Sequence, residues 1–316
     1  MLASPRILYL DQNAWISLAR GAWDAAAHPA YHAALTRVVK ALQDERIIVP
    51  LSFTNIYETF KINDPIRRAH LARVQSSISG GKVVRGRRRI FEETLLRHIA
   101  KRSEIEVPPA AEGWFLSDLW FEAAADYTPN KYGFEISERA LDLMRQNPAY
   151  TLFNYLSEPN DAVRLESVRR HTAASAELIR KLEMRRQIVN GESFALRRRA
   201  YGARLLIDEI DFIITTAERL GLHWSSISDI GSSLLKSLVT DVPIMNVECE
   251  LVIRLEDQKR TVNENDLRDM ASFTAVLPLA DMIVAEKAFV NLARQAGLDK
   301  KYCTALLTTV SDLTCD

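Results

Sequence analysis

Arg6-Ile7-Leu8-Tyr9-Leu10-Asp11-Gln12-Asn13, close to the start of the chain, is the stretch on which the fold turns. Residues 7–10 are a short, wholly apolar run of the kind a buried strand has, and an acid stands at its end. Helical spacing follows over residues 31–42, where Leu35, Val38, Val39 and Leu42 share one face. Residues 47–51 read as a second buried strand. Ser52 can cap the helix after it, with Phe53, Ile56, Tyr57 and Phe60 at i, i+3, i+4 and i+7. Strands alternating with helices predict a parallel sheet, with chemistry at the carboxyl ends of its strands.

The end of the chain returns to this rhythm. Residues 263–276 read as a helix opened by the capping pattern Asn263-Glu264-Asn265-Asp266, with Pro278 as its stop. A buried strand at 282–285 leads into Glu286, then a helix at 287–296 closed by Gly297, then a last strand at 304–310. The expected organisation is an α/β domain made of residues 1–66 and 241–316, interrupted by an all-helical insertion at 67–240. Gly80-Gly81, Pro108-Pro109, Pro129, Pro148, Pro159 and Gly191 punctuate the helices of that insertion.

Composition removes several classes. At 316 residues the chain has room for two domains or for one with a large insertion. Its 41 basic and 41 acidic residues balance, which argues against a binder driven by a basic tail and leaves local patches open. No apolar run approaches the roughly 18 residues that would span a bilayer, so no membrane role is expected. Asp11 interrupts the first apolar stretch, as a signal-peptide core would not. Cys249, Cys303 and Cys315 are widely spaced and suit a reducing compartment, so a cytoplasmic location is expected.

A parallel sheet gathers strand ends and helix starts along one edge, where distant acids can converge. Asp11 ends the first strand, Glu58 lies in the helix after the second, Asp266 and Asp269 open a later helix, and Asp281 and Glu286 flank the strand at 282–285. An acid closing a buried strand is costly without a partner, which makes Asp11 the leading candidate. Asp266 reads better as a helix cap, Asp269 lies one turn deeper, and Glu58 points away from its helix's apolar face.

In their order and spacing these segments resemble the PIN-like domain of metal-dependent nucleases. The resemblance covers residues 1–65 and 243–316. Leu10-Asp11-Gln12-Asn13 resembles the Leu-Asp-Thr-Asn that ends the family's first strand, with Gln12 in place of a small hydroxyl residue. Ser52 to Glu58 is similar to its Ser-to-Glu segment, and Asp269 followed by Ala285-Glu286-Lys287-Ala288-Phe289 resembles its later acids, with Glu286 in place of Asp. Asp281, in Pro278-Leu279-Ala280-Asp281, resembles an extra acid of a family subgroup. Five residues at about 3.3 Å each separate Asp281 from Glu286 by roughly 16 Å, on opposite faces, so Glu286 ranks first.

The resemblance implies a three-layer α/β/α fold and hydrolysis of a phosphodiester with Mg²⁺ or Mn²⁺. Asp11, Asp269 and Glu286 would be its metal ligands, Glu58 would orient the attacking water, and Asn13 and Asp266 would stand behind them. It also favours RNA over DNA as substrate. Lys82, Arg85, Arg87, Arg88 and Arg89 form a basic run that could carry a nucleic-acid backbone, or simply a solvated helix face. The alternative is a catalytically silent relative that binds nucleic acid or a protein partner through the insertion. A regulatory protein partner and a homo-oligomer are both compatible with the sequence.

Overall fold

The computed structural model describes residues 4–158 and 160–314. Its strands are β1 (Arg6–Leu10), β2 (Ile47–Ile48), β3 (Val83–Val84), β4 (Leu116–Ser117), β5 (Met282–Val284) and β6 (Ala305–Leu307). Four of them form a parallel sheet in the order β2-β1-β5-β6. The chain is thus a mixed α/β protein with a parallel sheet, as the alternation predicts. Leu10 lies opposite Val284 and Leu8 opposite Met282, so β1 and β5 end level with each other. That register brings Asp11 and Ala285-Glu286 to the same edge.

Two strands are shorter than their sequence suggests. Residues 47–51 read as one strand, yet β2 stops at Ile48, because Pro50 has no N–H to give to a ladder. Leu51 instead forms a parallel bridge to Val83, and β3 pairs antiparallel with β4. The last strand stops at Leu307, after which Thr309 caps a short 3-10 turn at Val310–Asp312 by accepting from the Ser311 N–H at 3.2 Å.

Close packing divides the described chain into two units. The first comprises the chain up to Gly86, Phe115–Ser175 and the chain from Leu279 onward; the second comprises Arg87–Trp114 and Ala176–Pro278. This division differs from breaks at 66/67 and 240/241. The helix Pro65–Ser79 packs on Gln12–Trp23 and on Pro148–Leu156, so a large part of the expected insertion belongs with the sheet. The helix Glu264–Val276, which carries Asp266 and Asp269, belongs to the second unit.

The first unit's core is centred on β1. Leu8, Tyr9 and Leu10 are buried, and so are Trp15 and Leu18 of the helix Gln12–Trp23. Trp120 stacks on Tyr155 with ring centroids 3.5 Å apart, a packing role. The second unit is helical, built around Pro243–Asp257, which buries residues all round its circumference. Among the described residues no helix is long and apolar enough to cross a membrane.

Gly21 sets how closely the first two helices approach. A Cβ at this position would stand 2.5 Å from the Tyr31 carbonyl carbon and 2.6 Å from the His32 nitrogen. His32 Nδ1 lies 3.0 Å from the Gly21 carbonyl oxygen, which closes the same contact. Gly21→Ala forces the helices apart. It is expected to lower stability by about 1–3 kcal/mol, read as a fall in thermal midpoint with the circular-dichroism spectrum retained.

Candidate active site

Asp11 caps the helix Gln12–Trp23. Its extended backbone turns the chain out of β1, its N–H donates to the Val284 carbonyl at 2.9 Å, and its Oδ1 accepts from the Ala14 N–H at 2.8 Å. The backbone N–H of Glu286 also donates to the Asp11 carboxylate. Helix starts at 12 and 287 therefore both direct amides at one acid, an arrangement that favours its ionised form.

Three effects oppose those amides and outweigh them. Burial at the edge of the core is the largest, followed by the Glu286 and Glu58 carboxylates, and together they push Asp11 up from 3.8 to about 7. Glu58 and Glu286 therefore each stand close enough for Asp11 to feel their charge. Glu58 is half-buried and Glu286 exposed. Asn13 Nδ2 donates to Glu286 Oε1 at 2.6 Å and fixes that side chain beside Asp11.

The helix Phe53–Phe60 delivers Glu58, and two sets of hydrogen bonds tie it to the end of β1. Ser52 and Asn55 form a reciprocal cap, while Asn55 Nδ2 donates to the Leu10 carbonyl at 3.2 Å. Gln12 Nε2 donates to Thr59 Oγ1 at 3.1 Å, Thr59 donates to Gln75 Oε1 at 2.8 Å, and Gln75 Nε2 donates to Gln12 Oε1 at 3.3 Å. Thr59 and Gln75 are fully buried, so each of these bonds satisfies a group that would otherwise be costly. Gln12 is thus a tether that a shorter hydroxyl side chain would not span. Asn55, Thr59 and Gln75 position the site although no sequence pattern marks them; polar residues on an otherwise apolar helix face were the available signal.

Asp281 and Asp266 have structural partners of their own, and Asp269 belongs to the other unit. Asp281 belongs to the opposite end of the strands, where its Oδ2 accepts from the Ile7 N–H at 2.7 Å and its own N–H donates to the Ile7 carbonyl at 3.0 Å. Four residues of β1 put it roughly 13 Å from Asp11 along the strand. This corrects its place among the catalytic candidates. Asp266 is a cap in a reciprocal box with Asn263, forms a two-armed ion pair with Arg260 at 2.5 and 2.7 Å, and is buried. Its carboxylate is occupied by structure. Asp269 is half-buried on the helix Glu264–Val276 of the second unit, whereas the grouping described here is confined to the first.

The basic run is not an unbalanced patch. Lys82 pairs with Asp118, Arg85 with Glu122 and Asp126, Arg87 with Glu209 and Glu248, Arg88 with Glu209, and Arg89 with Glu93. Each charge expected to meet a phosphate already faces a carboxylate.

In donor type and charge Asp11, Glu58 and Glu286 fit a hard divalent cation held partly through water. A closed cage is not formed: among the described residues no three Asp, Glu, His or Cys side chains are grouped to hold a metal directly. No family model, curated protein or solved structure matches this chain.

The raised pKa has a signed consequence for stability. Protonated Asp11 stabilises the folded state fully below about 4, and this contribution is lost as pH rises through about 7. At about 1.4 kcal/mol per unit it amounts to at most roughly 4 kcal/mol. Asp11→Asn is expected to flatten the pH profile of unfolding in metal-free buffer and to gain on the wild type between pH 5 and pH 8. Urea unfolding of both proteins at the two pH values checks this.

Proposed function

We propose that the first unit hydrolyses phosphodiester bonds in a metal-dependent reaction, with Asp11, Glu58 and Glu286 as its working carboxylates. The observation that carries the proposal is the convergence of these acids at the carboxyl edge of a parallel sheet, with Asp11 held at the end of a buried strand. The resemblance to PIN-like nucleases points the same way. In this reading β2-β1-β5-β6 is the middle of a three-layer fold of that kind, and RNA is the preferred substrate.

A Mg²⁺ or Mn²⁺ ion, when bound, would stabilise the charge that develops on the phosphate and the leaving oxygen. Asp11 and Glu286 would hold the cation, whose charge would offset the burial and the like charges that disfavour ionised Asp11. Asn13 keeps Glu286 turned toward Asp11. Glu58 orients the attacking water and accepts its proton as the new P–O bond forms and the old one breaks. The Gln12–Thr59–Gln75 ring holds the Glu58 helix against the Asp11 helix, a spacing on which in-line attack depends.

Cleavage of matched single-stranded RNA and DNA, with Mg²⁺ or Mn²⁺ and with chelator, tests the proposal. Asp11→Asn and Glu286→Gln are each expected to lower the rate at least about a hundredfold, with folding intact. Metal-dependent cleavage that survives both substitutions contradicts the assignment. Binding without cleavage by the wild type favours a silent binding protein.

A further inference from the structure

The helix that Asp11 caps carries a second set of residues along one stripe. Asn13, Ile16, Arg20 and Trp23 fall at i, i+3, i+7 and i+10, on one side of the helix. At 1.5 Å per residue, Arg20 lies about 10 Å and Trp23 about 15 Å along the axis from Asn13. A cavity of about 500 Å³ opens beside the far end of this stripe, floored by Ile16, Ile62 and Leu71.

Its polar wall carries two guanidinium groups. Arg20 and Arg67 face it beside the His28 and His70 imidazoles, against a single lining acid, Asp24. Asp24 accepts from the Ala27 N–H at 3.0 Å, and Asp64, which pairs with Arg67 at 3.5 Å, caps the helix Pro65–Ser79. The Arg20 guanidinium is exposed and has no hydrogen-bond or ion-pair partner among the described residues, in contrast to the paired basic run at 82–89. Trp23 stacks on His70 with ring centroids 4.0 Å apart, and its Nε1 donates to the His70 carbonyl at 3.4 Å. Trp23 is 48% exposed, so this stacked pair stands at the surface beside the cavity.

We propose that this cavity binds one nucleotide unit of a single-stranded nucleic acid laid along the helix Gln12–Trp23. Its base stacks on Trp23 and its phosphate meets Arg20, with Arg67 as a second cation. A base stacked on an aromatic platform and a phosphate held by an unpaired guanidinium are how proteins hold single strands independently of sequence. The inference rests on the hydrolytic reading of the Asp11 site for its direction. The span from Asn13 to Trp23 is one that a strand covers in a few nucleotides, so the cavity grips the substrate upstream or downstream of the bond cut.

The test measures affinity of the full chain for a fluorescein-labelled oligouridylate with chelator present, across a salt series. Trp23→Ala is expected to weaken binding about tenfold or more with the salt slope unchanged, and Trp23→Phe to restore most of the loss. Arg20→Gln is expected to weaken binding and to reduce the slope of log K against log salt by about 0.7, the value for one released counterion on a single strand. Both side chains are exposed, and circular dichroism checks that the variants fold. Wild-type affinity in Trp23→Ala and Arg20→Gln, equal binding of a duplex of the same length, or no binding by the wild type overturns the inference. Failure of the hydrolytic reading looks different, as intact strand binding with no metal-dependent cleavage.

Discussion

A carboxylate at the end of a strand buried in a sheet is the constraint around which the first unit is organised. Asp11 cannot move outward without breaking the cap of the helix Gln12–Trp23, and it cannot move inward without losing the amides that support it. Its neighbours intensify the conflict, because Glu58 and Glu286 bring like charge to a place where burial already disfavours charge. An arrangement that raises a carboxyl to about 7 has little structural merit. Under the proposed function, the site is one prepared for a positively charged partner.

What holds the acids in place is a set of neutral hydrogen bonds. The Asn55 bond to the Leu10 carbonyl and the Gln12–Thr59–Gln75 ring lock the helix Phe53–Phe60 to the end of β1. These bonds are buried or partly buried and uncharged, so they keep their geometry when the carboxylates change protonation state. Arg164 adds a more remote brace, since its buried guanidinium donates to the Phe60 carbonyl at 2.5 Å.

The parallel sheet and its acidic edge were legible in the sequence for physical reasons. Residues 7–10 are apolar without alternation, as a strand covered on both faces must be, and Asp11 has no apolar environment to suit it. The cap at Ser52 and the box at Asn263 declared two helix starts. The division into units was not legible, because amphipathic helices such as Pro65–Ser79 show that they have a buried face and do not show which partner buries it. The basic run at 82–89 misled for a similar reason. Apart from Glu93, its carboxylate partners, from Asp118 to Glu248, are distant in sequence, while the guanidinium of Arg20, a lone residue in no sequence cluster, has no partner among the described residues.

The central question is whether Asp11, Glu58 and Glu286 act together as a cation site. Calorimetric titration of Mn²⁺ into the metal-free protein at pH 8 measures this without reference to any substrate. Saturable binding is expected for the wild type, at least about tenfold weaker in Asp11→Asn and in Glu286→Gln and unchanged in Asp281→Asn, whose carboxylate lies at the other end of the strands. Equal Mn²⁺ affinity in wild type, Asp11→Asn and Glu286→Gln, or no binding at all, would contradict such a site.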